Sequence, residues 1–286
     1  MTWVADGGST AVQWTTADRA HEVLLLTGGM NPLTTPEAEI SDGLRRWNDL
    51  RASYCSANDV LYFYGAGCGS EQGRSKMERL LHKVCGTGLT CHVAGDLLGA
   101  CRALWGRSAG VVGVLGTGSN ACRYDGQRIT MQVPSLGYVL GDEGSANHIG
   151  RRLLADYLTH RMPTEAAHQF ADWSGLDYEA SISKLYHQPN PNRFLASLAH
   201  FASRHMDNAY VKQLVVSSLE AYFDRQVMPL ARGDSKLHLR LTGSVAAVFA
   251  DELRTVASAR GWSIDSIVQS PLGGMASYHA SVGEQQ

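Results

Sequence analysis

The sequence has few of the features that mark membrane, secreted or nucleic-acid-binding proteins. No apolar run approaches the roughly 20 residues needed to span a membrane, and the first residues show no basic segment followed by an apolar one. The formal net charge is only −2, which argues against a basic surface for nucleic acid or anionic lipid. We therefore expect a cytoplasmic protein with no nucleic-acid or membrane partner.

Cysteine is also sparse and unpaired. The six cysteines are scattered through the N-terminal half, at positions 55, 68, 85, 91, 101 and 122. None forms a CxxC pair and no histidine lies at zinc-finger spacing, so a zinc site or a paired-thiolate cluster has little support. We expect reduced and mostly buried thiols, as in other cytosolic chains.

The sequence does contain enough apolar residues for two hydrophobic cores. It also repeats one order of predicted secondary-structure elements. Hydrophobic residues make up 44% of the 286 positions, and this length suits two domains. A strand, a turn of small residues and a second strand are predicted over residues 3–15 and again over residues 110–124. The repetition suggests a duplicated α/β domain, with residues 1–106 as one domain and 107–286 as the other.

The remaining predicted elements alternate between short apolar strands and amphipathic helices. Further strands are predicted over residues 21–27, 60–64, 89–94, 129–133 and 237–241. Helices are predicted over residues 35–56, 74–84, 97–105, 144–157, 245–259 and 273–281, with a helix-rich region from 164 to 228. No element is assigned to residues 260–272.

The two turns carry the first functional signal. Asp6-Gly7-Gly8-Ser9-Thr10 and Gly116-Thr117-Gly118-Ser119-Asn120 combine glycine, which lets a phosphate approach the backbone, with hydroxyl donors. Neither turn is a Walker A loop or a dinucleotide-binding fingerprint, because each runs into another strand. One such turn alone would more often be a plain hairpin turn. Two at equivalent places in a repeat favour a polyphosphate site.

Several longer motifs resemble those of a known family. They are Gly95-Asp96-Leu97-Leu98-Gly99-Ala100, the stretch from Gly113 to Asn120, the stretch from Ser135 to Ala146, Leu241-Thr242-Gly243-Ser244-Val245-Ala246 and Pro271-Leu272-Gly273-Gly274. In this order the chain resembles the sugar kinase, Hsp70 and actin superfamily, and more closely the N-acetylglucosamine kinases filed with BadF/BadG/BcrA/BcrD-type ATPases. The resemblance implies two ribonuclease H-like (actin-like ATPase) domains with a nucleotide cleft between them. It also implies a C-terminal domain enlarged by helices and a last helix, at about 273–286, that packs on the N-terminal domain.

The resemblance further implies an ATP-dependent sugar kinase that uses magnesium, with a homodimer as a fair expectation. Asp6 would hold the magnesium ion through water, while Thr10 and Thr117 would meet the phosphates. Gly243 and Ser244 would lie against the adenosine. The residues implied in nucleotide binding are Asp6, Gly7, Gly8, Ser9, Thr10, Gly116, Thr117, Gly118, Gly243 and Ser244.

Asp96 is the implied catalytic base, which would take the proton of the sugar hydroxyl that attacks the γ-phosphate. From the residues alone, the N-cap of a helix is the favoured interpretation of Asp96, since it stands between a strand and a helical pattern, and the two roles are compatible. Asn31 and Asp142 are the implied sugar ligands, with Gly137 lining the pocket and Glu143 as a weaker candidate. Asn31 also reads as a turn residue before proline, and Asp142 as an acidic residue before a helix.

One departure from the family keeps other functions open. The position after Thr10, often basic in relatives, holds Ala11 here, followed by Val12. N-acetylglucosamine, phosphorylated on its 6-hydroxyl, is the expected substrate. The alternatives are an ATPase that activates a partner reductase through an iron–sulfur cluster, and a sugar or nucleotide sensor without chemistry. The first would need thiolates arranged as cluster ligands, which no paired-cysteine loop supplies.

Overall fold

The computed structural model describes residues 1–54, 58–231 and 237–283. Cys55 and Ser56, the last predicted residue of the first helix, lie outside the described residues, as do residues 284–286 of the predicted last helix. Contacts divide the chain into two compact units. Unit 1 comprises residues 1–110, 124–130 and those from Ser270 on, and unit 2 comprises Val111–Arg123 and Met131–Gln269.

Unit 1 contains a mixed five-stranded sheet with the order β3-β2-β1-β4-β5. The strands are β1 (Thr2–Gly7), β2 (Ala11–Thr16), β3 (Leu25–Gly28), β4 (Val60–Gly65) and β5 (Thr90–Gly95). β1 pairs antiparallel with β2, whereas β4 runs parallel to both β1 and β5. The helices of unit 1 are α1 (Glu37–Ser53), α2 (Glu71–Cys85), α3 (Asp96–Trp105) and α12 (Leu272–Gly283).

Alternation along β1 builds the core of unit 1 on both faces of this sheet. Trp3 and Ala5 point into an aromatic cluster, in which Trp14 stacks on Trp47 of α1 with ring centroids 4.8 Å apart. Val4 points to the opposite face, where it packs with residues of α12. Both faces of the strand are therefore buried, as is usual for a central strand between helices.

Helix α12 is attached to unit 1 by a buried polar network. Arg102 Nη1 of α3 donates to the Tyr64 hydroxyl over 2.6 Å, and that hydroxyl lies 2.7 Å from His279 Nε2 of α12. Because arginine can only donate, the tyrosine proton goes to His279, whose Nε2 is the acceptor. Burial and the nearby Arg102 charge lower the pKa of His279 to about 3, which agrees with a neutral ring.

Unit 2 repeats the sheet with the order β8-β7-β6-β9-β10. Its strands are β6 (Gly110–Leu115), β7 (Ser119–Tyr124), β8 (Ile129–Gln132), β9 (Leu237–Thr242) and β10 (Trp262–Val268). In both units the order along the sheet is third, second, first, fourth and fifth strand. The repeated order of elements predicted from the sequence is thus confirmed in the sheet topology.

The helices make unit 2 larger than unit 1. They are α4 (Gly137–Leu140), α5 (Ala146–Leu158), α6 (Thr164–Ser174), α7 (Tyr178–Tyr186), α8 (Pro191–Arg204), α9 (Ala209–Tyr222), α10 (Ser244–Val248) and α11 (Ala250–Ala259). α5 packs closely on α8, because Gly150 brings its backbone against that of Leu195. α9 continues into a π-helical turn, Phe223–Val227. No helix in the described ranges combines the length and apolarity needed to cross a membrane.

The strand predicted over residues 21–27 is wrong in its first half. Residues 17–19 form a short 3₁₀ helix, and the strand begins only at Leu25 and ends at Gly28. The predicted helix 245–259 is interrupted at Phe249, where φ is −108° and ψ is 38°. β10, to which the sequence analysis assigns no element, pairs parallel with β9 through an irregularity between Ile264 and Ser266.

Candidate active site

Three glycines form a row at the carboxyl end of the sheet in unit 1. Gly7 of β1 is opposite Gly65 of β4, which in turn is opposite Gly95 of β5. Asp6 immediately precedes this row and Asp96 immediately follows it. Carboxyl ends of adjacent parallel strands meet at one edge of a sheet, which is where open α/β folds bind ligands.

Packing explains why the row is glycine. A Cβ on Gly7 would lie 3.0 Å from Phe63 Cζ and from the carbonyl oxygen of Tyr64, and one on Gly65 would lie 2.5 Å from Phe63 Cε1. A Cβ on Gly95 would lie 3.1 Å from the Cα of Gly69. Backbone without side chains therefore forms this edge, and Asp6 and Asp96 are next to it in the sequence.

The turn after β1 is shorter than the sequence suggests. Asp6 and Gly7 are the last residues of the strand, and Gly8, Ser9 and Thr10 make the turn. The turn is closed by a hydrogen bond of 2.9 Å from the Gly8 N–H to the Ala11 carbonyl. Thr10 is exposed, and its carbonyl accepts from Gly29 over 3.0 Å.

Asp6 and Asp96 both have a raised pKa. Burial, with the Asp96 charge second, raises the pKa of Asp6 from 3.8 to about 7. Burial also raises the pKa of Asp96, against the opposing effect of backbone N–H groups. Gly95 holds the N-cap position of α3, so Asp96 is the first helical residue, and its Oδ1 accepts from the Leu97 N–H at 2.9 Å. Two partly accessible carboxylates with raised pKa at one sheet edge are typical of a functional site.

Asn31 lies beside this edge, on the loop between β3 and α1. Gly67, in the loop after β4, has φ +82° and lies so close that a Cβ there would collide with the Asn31 amide. Asn31 Oδ1 accepts from the Leu33 N–H over 2.9 Å. Lys76 of α2 donates to the Pro32 carbonyl over 2.6 Å and so holds the loop against α2.

Cys68 forms part of the wall below the glycine row. Its side chain is fully buried, and a Cβ on Gly65 would come within 3.0 Å of its Sγ. Burial first, and Asp96 second, raise the pKa of the thiol to about 12. Because the thiolate is the reactive form, Cys68 is an inert packing residue.

The second predicted turn lies at the corresponding edge of unit 2. Gly116, Thr117 and Gly118 connect β6 to β7, and the Gly116 N–H donates to the Gly118 carbonyl over 2.9 Å. The first two N–H groups of α5 hold this turn, since Ala146 donates to the Gly116 carbonyl and Asn147 to the Thr117 carbonyl, over 2.9 and 3.1 Å. The turn and the start of α5 therefore form one structure.

Asp142 packs against the same turn. A Cβ on Gly118 would lie 3.0 Å from both Asp142 carboxylate oxygens. Asp142 Oδ1 accepts from the Ser119 N–H at 3.4 Å and Oδ2 accepts from Asn147 Nδ2 at 3.2 Å. The residue is 8% exposed and has a left-handed backbone with φ 55°. Burial raises the pKa of its carboxyl.

Glu143 belongs to a second, adjoining network. Its Oε2 accepts from Gln226 Nε2 at 3.0 Å and its Oε1 from Arg225 Nη1 at 2.9 Å. Gln226 also donates to the Ser119 hydroxyl, which donates to the Glu143 carbonyl over 2.7 Å. Hydrogen bonds from Gln226 and Arg225 outweigh burial and lower the pKa of Glu143. The sequence predicts neither donor, because nothing in the local sequence indicates the π-helical turn that carries them.

Gly243 and Ser244 follow β9, next to the end of β6. Gly243 has φ +117°, and a Cβ there would collide with the Leu115 carbonyl. Its N–H donates to the Val268 carbonyl at the end of β10, over 3.1 Å. Ser244 is exposed and is the first residue of α10. Gly243 is therefore brought to within contact of the turn that begins at Gly116.

Gly137 is the first residue of α4. Its φ is +69°, and no atom lies within 4 Å of the position that a Cβ would take. Arg151 of α5 holds this helix through the Tyr138 and Val139 carbonyls, over 3.1 and 2.7 Å.

A surface depression of about 520 Å³ lies elsewhere, between α1 and α2. Its lining residues are Glu37, Ala38, Ser41, Arg45, Lys83 and Val84. None of them belongs to the predicted site, and Lys83 is already paired with Glu37 at 2.7 Å. The glycine-lined sheet edges are the better candidates for chemistry.

Comparisons with known proteins identify the family. No protein-family model matches the chain, and no curated protein matches it either. A solved structure from Porphyromonas gingivalis named "putative N-acetylglucosamine kinase" is 36% identical to this chain. Its TM-score is 0.89, and the match covers 98% of this chain and 99% of that one.

Two more distant structures share the fold. One, with the same name and from Chromobacterium violaceum, is 18% identical with a TM-score of 0.73, over 97% of this chain and 98% of that one. The other is a ROK family glucokinase from Streptomyces griseus in complex with glucose and AMPPNP, 15% identical with a TM-score of 0.56, over 100% and 99%. The two mixed sheets with their helices are thus the two-domain ribonuclease H-like fold. The chain belongs to the N-acetylglucosamine kinase family of sugar kinases.

Proposed function

We propose that this protein transfers the γ-phosphate of ATP to the 6-hydroxyl of an amino sugar, with N-acetylglucosamine as the expected acceptor. The observation that carries the proposal is the pair of carboxylates, Asp6 and Asp96, beside the row of glycines Gly7, Gly65 and Gly95. Phosphoryl transfer requires an oriented hydroxyl, a proton acceptor and compensation of phosphate charge. In a chain of the sugar kinase family, this edge would supply the proton acceptor, and the turn that follows Asp6 would meet the phosphates.

Asp96 is the proposed general base. The sugar oxygen forms the new bond to the γ-phosphorus, the bond from that phosphorus to the β–γ bridging oxygen breaks, and ADP leaves. The hydroxyl proton passes to the Asp96 carboxylate and from there to solvent. The Leu97 N–H fixes one carboxylate oxygen at 2.9 Å, and burial raises the pKa, which makes the carboxylate a stronger base.

Asp6 is the proposed magnesium ligand, acting through water. Within the described ranges no group of three or more His, Cys, Asp or Glu side chains could hold a metal ion. Magnesium does not need such a cage, because it keeps several waters and binds one or two carboxylates together with substrate phosphates. Burial first, and the Asp96 charge second, raise the pKa of Asp6 to about 7, and a bound cation would offset the cost of ionising this carboxyl. When bound, the ion would neutralise charge on the phosphates.

The remaining predicted site residues are assigned to the phosphates, the adenosine or the sugar. Ser9, Thr10 and Thr117 supply hydroxyls for the phosphates, beside the small residues Gly7, Gly8, Gly116 and Gly118. Gly243 and Ser244 would lie against the adenosine. Asn31, Asp142 and Gly137 would contact the sugar. A cytoplasmic location and a homodimer remain predictions from the sequence.

The test is ADP release by purified protein against a panel of amino sugars and hexoses. N-acetylglucosamine should give the highest kcat/KM, and NMR of the product should show phosphate on O6. Asp96→Asn keeps an acceptor for the Leu97 N–H but removes the base, so kcat should fall by about 10²–10⁴ with sugar binding largely retained.

Asp251→Asn, an exposed change in α11, is the matched control and should keep full activity. Full turnover by Asp96→Asn would remove Asp96 from the role of base. Sugar binding by the wild type without any phosphate transfer would instead identify a sensor.

A further inference from the structure

Asn147 is a buried residue in the first turn of α5 that makes two directed contacts. Its backbone N–H donates to the Thr117 carbonyl over 3.1 Å, and its side-chain Nδ2 donates to Asp142 Oδ2 over 3.2 Å. Only 2% of the residue is exposed. Asn147 therefore connects the turn at Thr117 with the carboxylate of Asp142.

One polar atom of the Asn147 side-chain amide makes no hydrogen bond within the described part of the chain. Its Oδ1 is buried and has no hydrogen-bond partner among the residues that the structure describes. A buried acceptor without a partner is costly, so such atoms are usually satisfied by water or by a ligand. Since Nδ2 already bonds a carboxylate, which can only accept, the orientation of the amide is determined by chemistry.

Asp142 has acceptor capacity left after its internal bonds. A carboxylate offers about four acceptor positions, and here one is used by the Ser119 N–H and one by Asn147. Gly118 closes one side, since a Cβ there would lie 3.0 Å from both carboxylate oxygens. The remaining positions are those that the proposed function assigns to sugar hydroxyls, and the two donors determine the direction in which those positions point.

We infer that Asn147 is a positioning residue, which holds the Asp142 carboxylate in the orientation that accepts hydrogen bonds from sugar hydroxyls. The inference rests on the proposed function. Asn147 acts through Asp142, and its hydrogen bond to Thr117 comes from the backbone N–H, which a substitution of the side chain keeps. Its loss should therefore weaken sugar binding and leave ATP binding unchanged.

The experiment uses Asn147→Ala and the nearly isosteric Asn147→Leu, which removes the donor without opening a cavity or adding a charge. Removing a hydrogen bond to a charged group should raise KM for N-acetylglucosamine about tenfold or more, while KM for ATP stays within about twofold. Calorimetry then gives the sugar Kd of wild type, Asn147→Ala, Asp142→Asn and the double variant. Because Asn147 acts through Asp142, it should add no further loss in the Asp142→Asn background.

Asn208→Ala is the matched control. Asn208 caps α9 in the same unit through the Tyr210 and Val211 N–H groups, so its loss destabilises the unit by a similar amount. It should leave both KM values unchanged. The inference is overturned if Asn208→Ala raises the sugar KM as much as Asn147→Ala does. It is also overturned if Asn147→Ala weakens sugar binding in the Asp142→Asn background by the same factor as in the wild type.

Two further outcomes separate this inference from the proposed function. An active wild type whose sugar KM is the same in both Asn147 variants refutes the positioning role alone. A wild type that neither binds nor phosphorylates any sugar of the panel refutes both. If Asn147→Ala does not fold, Asn147→Leu decides the result by the same criteria.

Discussion

Replacing Asp6 by asparagine should stabilise the protein at neutral and alkaline pH while abolishing its activity. Asp6 lies at the end of the central strand of its sheet and is partly buried near Asp96. Its pKa is raised from 3.8 to about 7, by burial first and by Asp96 second. Ionising this carboxyl in the folded protein is therefore unfavourable, and asparagine removes that cost.

The size and direction of the effect follow from proton linkage. The folded state binds the proton more tightly than the unfolded state, so the associated stability is fully present below pH 3.8 and is lost as the pH rises to about 7. A shift of about three pKa units at 1.36 kcal/mol per unit corresponds to about 4 kcal/mol. Relative to wild type, the Asp6→Asn variant should gain about 1.4 kcal/mol per pH unit between those limits and nothing further above them.

Urea unfolding of both proteins at half-unit intervals from pH 4 to pH 8.5 measures this difference. Asp251→Asn, which changes an exposed carboxyl, is the control and should show no comparable pH-dependent gain. Turnover should disappear in Asp6→Asn at every pH, because the proposed magnesium ligand is gone. A stability difference that stays constant across the range, or that favours the wild type at pH 8, would refute the electrostatic account of Asp6.

Two further substitutions test contacts in each unit. Gly118→Ala places a Cβ 3.0 Å from both carboxylate oxygens of Asp142, so KM for the sugar should rise several-fold in steady-state assays, and an unchanged KM would contradict this. Tyr64→Phe removes the hydroxyl that accepts from Arg102 at 2.6 Å and should cost about 1–3 kcal/mol in urea unfolding. Tyr178→Phe, at an exposed tyrosine, should cost nothing measurable, and equal losses in the two variants would argue against the buried network.

Local patterns predict the regular elements well where both faces of a strand are buried. The strand predicted over residues 60–64 is present as Val60–Gly65, and the strand over residues 110–115 is reproduced without change. Their apolar residues form short continuous runs bounded by glycine, which is the pattern of a strand covered on both sides.

The failures occur where tertiary contacts outweigh local preference. Trp262–Val268 contains Ser263, Asp265 and Ser266, which favour turns over strands, but pairing with β9 makes this segment an edge strand. The helical pattern of residues 245–259 continues without interruption through Phe249, although the helix itself breaks there. Packing of the aromatic ring, which is 2% exposed, is invisible to periodicity.

In the candidate site, too, some features follow from the sequence and others depend on tertiary contacts. The sequence predicts a turn that opens with Asp6 and a strand end followed by Asp96, but it does not predict that Gly7, Gly65 and Gly95 align beside them. It explains Gly118 by phosphate approach, whereas in the structure this glycine makes room for the Asp142 carboxylate. It gives no sign that Asn147 and Gln226 serve Asp142 and Glu143, because these partners come from different helical turns.

The sequence by itself therefore determined the fold class, the two-fold repetition and the family, because these depend on hydrophobic period and on motifs contiguous in the chain. Only the tertiary structure decided which donors hold each carboxylate, how far burial raises the pKa of Asp6, and why particular glycines are required. Those properties depend on distances between residues far apart in the chain, and only the packed sheets and helices determine those distances.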